Sequence, residues 1–203
     1  MGLYARFILP RLLDLSCRCK VATERRAALV PRASGAVLEV GVGSGLNLRF
    51  YSGGSVTRLV AIDPSEAMLS MARKNAAGLA FPVDLRCEPA ESLSLGAGSI
   101  DTIVMTFTLC SIPEPVRALR EMRRVLKPGG HLLFVEHGLA PDPGVRRWQE
   151  RLNPLWKRVA GGCNLNRKID ALLAESGFRV AELRADYMPG PRPLTYTYEG
   201  SAV

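Results

Sequence analysis

The stretch Ala36-Val37-Leu38-Glu39-Val40-Gly41-Val42-Gly43-Ser44-Gly45, followed by Arg58-Leu59-Val60-Ala61-Ile62-Asp63-Pro64, decides the fold. Each half opens with a short apolar run that reads as a strand buried on both faces, as in a parallel sheet. The first strand runs into three glycines at alternate positions, where a backbone without side chains can turn sharply and approach a ligand. The second ends on a carboxylate 18 residues beyond Gly45, a place from which an acid can accept hydrogen bonds from both hydroxyls of a ribose. A dinucleotide fingerprint would put its third glycine where Leu46 stands, which argues against a pyrophosphate ligand. The plainer alternatives are a tight turn at the glycines and an Asp63 that only caps the next helix.

Working outward, residues 46–51 are expected to form a short helix, and residues 66–75 place Ala67, Met68, Met71 and Ala72 on one helical face. Further strands are expected at 83–87, 100–107 and 131–136, with a helix over 115–126 that stops at the turn Lys127-Pro128-Gly129-Gly130. This alternation predicts an open, doubly wound α/β sheet, whose ligands bind outside the carboxyl ends of the strands. In the tail, 178–188 reads as a strand, 189–193 as a loop, and 194–198 alternates apolar and polar residues like an antiparallel partner. Trp148, Leu152, Leu155, Trp156 and Val159 recur at helical spacing around Pro154. Two short helices are expected there, the second capped by Asn153, packing on the sheet or partly roofing a substrate pocket.

The 203 residues are 47% hydrophobic and 23% charged, which fits one globular domain and excludes disordered, collagenous and coiled-coil chains. Lys and Arg exceed Asp and Glu by 27 to 19. The excess lies at the ends: residues 1–36 hold 7 basic and 2 acidic groups, 37–140 hold 10 and 10, and 141–203 hold 10 and 7. The chain therefore divides into an N-terminal helical lid (1–36), a neutral ligand-binding core (37–140), and a helical cover with a C-terminal hairpin (141–203). Scattered Arg and only 6% aromatics argue against a nucleic-acid reader. The basic ends read as solvated faces, or as surfaces attracting anionic substrates or making weak peripheral contact with a membrane. Cys17, Cys19, Cys87, Cys110 and Cys163 include no C-x-x-C pair and accompany no His cluster, so no metal site or disulfide framework is expected. Reduced thiols in a cytoplasm fit that pattern. The apolar segment 3–13 is broken by Arg6, Pro10 and Arg11, and reads as neither a membrane span nor a signal peptide.

With Glu39-x-Gly41-x-Gly43-x-Gly45, Ile62-Asp63-Pro64-Ser65 with Met68, Glu88-Pro89-Ala90-Glu91-Ser92-Leu93, Ile100-Asp101-Thr102-Ile103-Val104 and Leu126-Lys127-Pro128-Gly129-Gly130 in this order, the chain resembles the class I S-adenosylmethionine-dependent methyltransferases of the type 11 group. The flanks Leu3-Tyr4-x-Arg6-Phe7, Glu136-His137, Gly162-Cys163-Asn164-Leu165-Asn166-Arg167 and Tyr196-Thr197-Tyr198-Glu199-Gly200 are similar to the alkyl-thiol methyltransferases of the methyltransferase-like class. The resemblance implies a Rossmann-like, mostly parallel seven-stranded sheet with an antiparallel C-terminal strand, and S-adenosylmethionine as cofactor. It implies that Gly41, Gly43 and Gly45 line the methionine end, that Glu39 orients that loop, and that Asp63 holds the ribose. Pro64 and Met68 would lie near the adenine, Glu88, Pro89 and Ala90 at its edge, and Thr106, Phe107 and Thr108 beneath the transferred methyl.

Methyl transfer asks a protein chiefly for in-line placement, exclusion of water and a deprotonated acceptor. Glu136 and His137, just after the fifth expected strand, are the candidate catalytic residues, with His137 as general base and a backbone-satisfied histidine as the plainer alternative. Cys110 is expected to act as a small apolar residue, and Asn153-Pro154-Leu155-Trp156 to resemble an amine-methylating motif only superficially, since it follows the wrong strand. The expected function is methylation of a small lipophilic acceptor, with a thiol favoured by the flanking resemblance. The alternatives are O- or N-methylation of a quinone, phospholipid or natural product, a nicotinamide-dependent oxidoreductase, and a cofactor-binding protein without turnover.

Overall fold

A computed structural model describes residues 9–203, so the readings placed on Leu3, Tyr4, Arg6 and Phe7 lie outside the described residues. The strands are β1 (Gly35–Val40), β2 (Val56–Ile62), β3 (Val83–Arg86), β4 (Ile100–Thr106), β5 (Leu126–His137), β6 (Val180–Tyr187) and β7 (Tyr196–Ala202). The helices are α1 (Leu9–Cys17), α2 (Lys20–Leu29), α3 (Glu66–Ala76), α4 (Pro115–Val125), α5 (Pro143–Val159), α6 (Ile169–Glu175) and α7 (Arg192–Thr195). One seven-stranded sheet runs in the order β3-β2-β1-β4-β5-β7-β6. The first five strands are mutually parallel, and β7 enters antiparallel to both β5 and β6. The order reverses between β1 and β4, and such a switch point opens a crevice at the carboxyl edge.

The apolar runs explain the layers. On β1, five of six residues are buried, because helices cover both faces. On one face Val37, Ala61, Val104 and Val135 pack with Leu29 of α2 and Leu69 of α3. On the other, Leu38, Ile62, Met105 and Phe134 meet Leu119 and Met122 of α4 and Leu173 of α6. Helix α4 buries Ala118, Leu119, Met122 and Val125, the spacing of one helical stripe, and begins with Pro115, where a missing N–H costs nothing.

Several expectations need correction. Residues 46–51 form only a 3₁₀ turn at Leu48–Phe50, because Asn47 and Tyr51 both turn inward to the carboxylate of Glu39. Strand β5 starts at Leu126 rather than His131, pairing Leu126 with Ile100 before the register slips to His131 opposite Thr102; residues 127–130 are taken up in that slip. Strand β7 starts at Tyr196, since Leu194 and Thr195 close the single turn of α7. Finally, α5 runs unbroken through Pro154. That proline withholds one donor, from the carbonyl of exposed Glu150, which water can serve.

Nor does the α5 stripe pack on the sheet: Trp148, Leu155 and Val159 are 55%, 63% and 49% exposed, while Leu152 and Trp156 are half-buried. The helix is anchored instead by buried Gln149, which accepts from Ala140 N (2.9 Å) and donates to Gly138 O (3.0 Å). Asn153 caps no helix; its Oδ1 accepts from Leu165 N at 2.8 Å, fixing the loop that carries Cys163. Among the described residues, no helix is long and apolar enough to cross a membrane.

Candidate active site

The glycine bend leaves β1 with φ of 71° at Gly41, 54° at Gly43 and 85° at Gly45. A Cβ on Gly41 would lie 2.3 Å from the Thr108 side chain, so glycine is required there both by conformation and by space. The bend is tied to β2: Gly41 N and Val42 N both donate to Ile62 O at 2.9 Å. Asp63 completes the tie, its Oδ2 accepting from Gly43 N (3.0 Å) and its Oδ1 from Ser65 N (2.8 Å). The capping alternative for Asp63 is corrected: Ser65 caps α3, its side chain accepting from Met68 N, while Asp63 holds the N–H of Ser65 and of the bend. Each oxygen still has a lone pair for a further donor. Burial raises the Asp63 pKa, opposed by the two backbone hydrogen bonds.

Beneath the bend, Glu39 is 1% exposed. Its oxygens accept from Asn47 Nδ2 at 3.0 Å and Tyr51 OH at 2.9 Å, and Asn47 also reaches Thr106 Oγ1 at 3.0 Å. Burial pushes the Glu39 pKa up to about 7, against those hydrogen bonds and the positive charge of buried Arg26. Glu39 therefore stiffens the bend from below. Asn47, Tyr51 and Arg26 were not singled out from the sequence, since nothing in their spacing joins them to Glu39.

At the ends of β4 and β5, Phe107 holds φ 55°, a strained value for a bulky residue. Its N–H to Val135 O (2.7 Å) fixes it, and its ring lies 5.0 Å from that of His137 and 5.1 Å from the Arg26 guanidinium. Thr108 Oγ1 approaches Gly41 O at 3.4 Å, joining this loop to the glycine bend. Glu136 is fully buried and accepts from Thr108 N (2.8 Å) and Cys110 N (3.3 Å). Burial lifts its pKa to about 7, against those backbone hydrogen bonds and one from Leu109. That geometry makes Glu136 a holder of the 108–110 loop. His137 is partly exposed, and its ring packs at a tilt against that of Phe107.

Along the rim, Met68 Cε lies 3.8 Å from where a Gly43 Cβ would stand. Glu88 accepts from Ser94 Oγ at 2.6 Å through Oε2, while its Oε1 is buried without a hydrogen-bond partner. Pro64 and Pro89 are exposed beside it and Ala90 is buried. Helix α1 reaches the same place, Ser44 Oγ donating to Asp14 Oδ1 at 2.5 Å.

The expectation that the cysteines accompany no histidine cluster is corrected. Cys110 and Cys163, 53 positions apart, approach to 3.4 Å between sulfurs, and with His137 their ligating atoms lie within 4.8 Å of one another. The sulfur–sulfur contact lowers the Cys163 pKa, against burial and helped by His137, and with burial pushes the Cys110 pKa up. Sequence spacing held no sign of this, because two loops and the end of β5, far apart in the chain, supply the residues.

A family model described as a methyltransferase domain matches residues 38–134. The chain is 34% identical over 160 residues to human thiol S-methyltransferase TMT1B, covering 77% of this chain and 64% of that one. With human thiol S-methyltransferase TMT1A it is 33% identical over 178 residues, covering 83% and 71%. Among solved structures, a SAM-dependent methyltransferase from Methanosarcina mazei superposes with a TM-score of 0.65 at 23% identity, covering 82% of this chain and 91% of that one.

Proposed function

From its place in the S-adenosylmethionine-dependent methyltransferase family, to which the chain belongs, we propose that it methylates a small lipophilic acceptor, a thiol. The observation that carries this reading is the meeting, at one carboxyl edge, of the Asp63-tied glycine bend with the 107–108 loop, on which the His137 ring packs. The names of the similar human proteins support a sulfur acceptor.

The residues present fit the cofactor. The bend leaves open space above Gly43 bordered by Met68, and the orphaned Glu88 Oε1 asks for a donor such as the exocyclic amine of adenine. When bound, the cofactor supplies an electrophilic methyl group on a positively charged sulfur. Gly41, Gly43 and Gly45 would receive its methionine end, and the free lone pairs of Asp63 its ribose hydroxyls. Pro64, Met68, Glu88, Pro89 and Ala90 would border the base.

Thr106, Phe107 and Thr108 would floor the reacting centre. Glu39 acts through Asn47 and Tyr51, and Glu136 through the 108–110 loop, so both are positioning residues. His137 is the residue that acts on the acceptor. A thiol suits so spare a site, since an unperturbed pKa of about 8.5 leaves some thiolate at neutral pH.

The test is transfer of a labelled methyl group to a panel of alkyl thiols, phenols, quinols, amines and phosphatidylethanolamine vesicles. Preferential labelling of thiols is expected. Labelling of an oxygen, nitrogen or carbon acceptor with thiols left untouched would refute the thiol assignment, and stabilisation by NADH but not S-adenosylhomocysteine would refute the cofactor.

A further inference from the structure

We propose that Cys110, Cys163 and His137 form a zinc site whose fourth position takes the sulfur of the acceptor. This rests on the thiol reading above and adds the group that activates the thiol. Three independent segments converge: the loop after β4 brings Cys110, the end of β5 brings His137, and the loop after α5 brings Cys163. Two sulfurs and one imidazole are the borderline-soft donors that zinc prefers, and three protein ligands leave the open position of a catalytic site.

The dimensions agree. With Zn–S of about 2.3 Å, the sulfurs of a tetrahedral site stand roughly 3.8 Å apart, so the observed 3.4 Å needs an opening of only a few tenths of an ångström.

The surroundings are those of a held ligand set. The carboxylate of Glu136 fixes the Cys110 N–H, and Asn164 Nδ2 donates to Cys110 O at 2.9 Å. Asn153 fixes Leu165, two residues beyond Cys163. The indole N–H of Trp156, near the end of α5 and ahead of the loop that carries Cys163, is buried with no hydrogen-bond partner, and outer donors of this kind tune metal-bound thiolates. Two thiolates neutralise the dication, so an acceptor thiolate in the fourth position carries one net negative charge.

The site also stands where an acceptor must be. Cys110 lies two residues beyond Thr108, whose side chain touches Gly41 of the bend, and the His137 ring packs on Phe107. On coordination the acceptor's S–H bond breaks and its proton passes to solvent. The sulfur lone pair then forms the bond to the methyl carbon as the methyl–sulfonium bond breaks, its electron pair staying on the departing sulfur. The neutral thioether product is a poor ligand and leaves.

The experiment is titration of the full-length, metal-free protein with Co²⁺, read by absorbance. A thiolate-to-cobalt charge-transfer band at one equivalent is expected, abolished by Zn²⁺, lost in Cys110→Ser and Cys163→Ser and weakened in His137→Ala, but kept in Cys87→Ser. Binding of S-adenosylhomocysteine by each variant checks that it is folded. An alkyl thiol should shift the visible cobalt spectrum of the wild type.

No band, or a band that survives both cysteine substitutions, overturns the site. Undiminished thiol methylation by metal-free protein overturns the metal and leaves His137 as a base, with the thiol reading intact. A cobalt spectrum that no thiol perturbs, in a protein that methylates a different acceptor, overturns the acceptor role and the thiol reading together.

Discussion

Replacing Glu39 by Gln should remove part of a pH dependence of stability that the wild-type protein carries. The carboxyl is raised from its usual 4.5 to about 7 by burial, so the folded state holds this proton more tightly than the unfolded chain. Its contribution is fully present below about pH 4.5, and is lost as pH rises through about 7. The displacement corresponds to a contribution on the order of 3 kcal/mol, which for a chain of this size moves the melting temperature by roughly 6–12 °C. Protonated Glu39 and Gln have nearly the same shape, so the two proteins should melt close together at pH 5. By pH 8 the variant should have gained on the wild type by several degrees. Glu136, raised to about 7 for the same reason, keeps its own decline in both proteins, so the variant is flattened and not flat. The assay is thermal denaturation of cofactor-free protein between pH 5 and 8. Parallel curves for the two proteins across that range would refute the argument that Glu39 is protonated by burial.

Asp63→Ala should weaken binding of S-adenosylhomocysteine by about 1–3 kcal/mol in calorimetry, because it removes the ribose acceptor and frees Gly43 N; unchanged affinity would break the ribose assignment. Gly41→Ala should lower the melting temperature by several degrees. Thr108→Ala in the same chain should relieve the contacts at 2.3 Å but leave the Cβ approach at 2.8 Å and the cost of the positive φ, so full recovery by the second substitution would show that neither of these contributes. His137→Ala should abolish most methyl transfer while S-adenosylhomocysteine affinity stays at the wild-type value; a normal rate would exclude the residue from the reaction.

The strands and the glycine bend were legible in the sequence because period, burial and turn chemistry are local. The run 36–40 and the pair Asp63-Pro64 carry their meaning within a few residues. What escaped was set by contacts between distant segments. The course of α5 through Pro154 depended on which face met water, and the exposed stripe Trp148, Leu155 and Val159 looked in one dimension like a core-facing one. Helical spacing states that residues share a face and is silent on what the face meets. Glu136 looked like a catalytic candidate beside His137, and its engagement with the backbone of 108–110 became visible only once β4 and β5 lay side by side. The same holds for Cys110 and Cys163. The motif Ile100-Asp101 belonged to the family pattern, yet Asp101 works at the opposite edge of the sheet, accepting from Ala36 N at 2.8 Å and from Lys127 Nζ at 2.8 Å.

The insertion of β7 between β5 and β6 also bears on the order of assembly. His137 is paired across the sheet with Thr197, sixty positions later, and β6 is hydrogen-bonded to the sheet through β7. A nascent chain that has emerged only through α6 can stack its first five strands, but β5 keeps a bare flank, and when β6 follows it has nothing to join. The reacting side of the crevice is therefore braced late in synthesis, after the donor side is already in place.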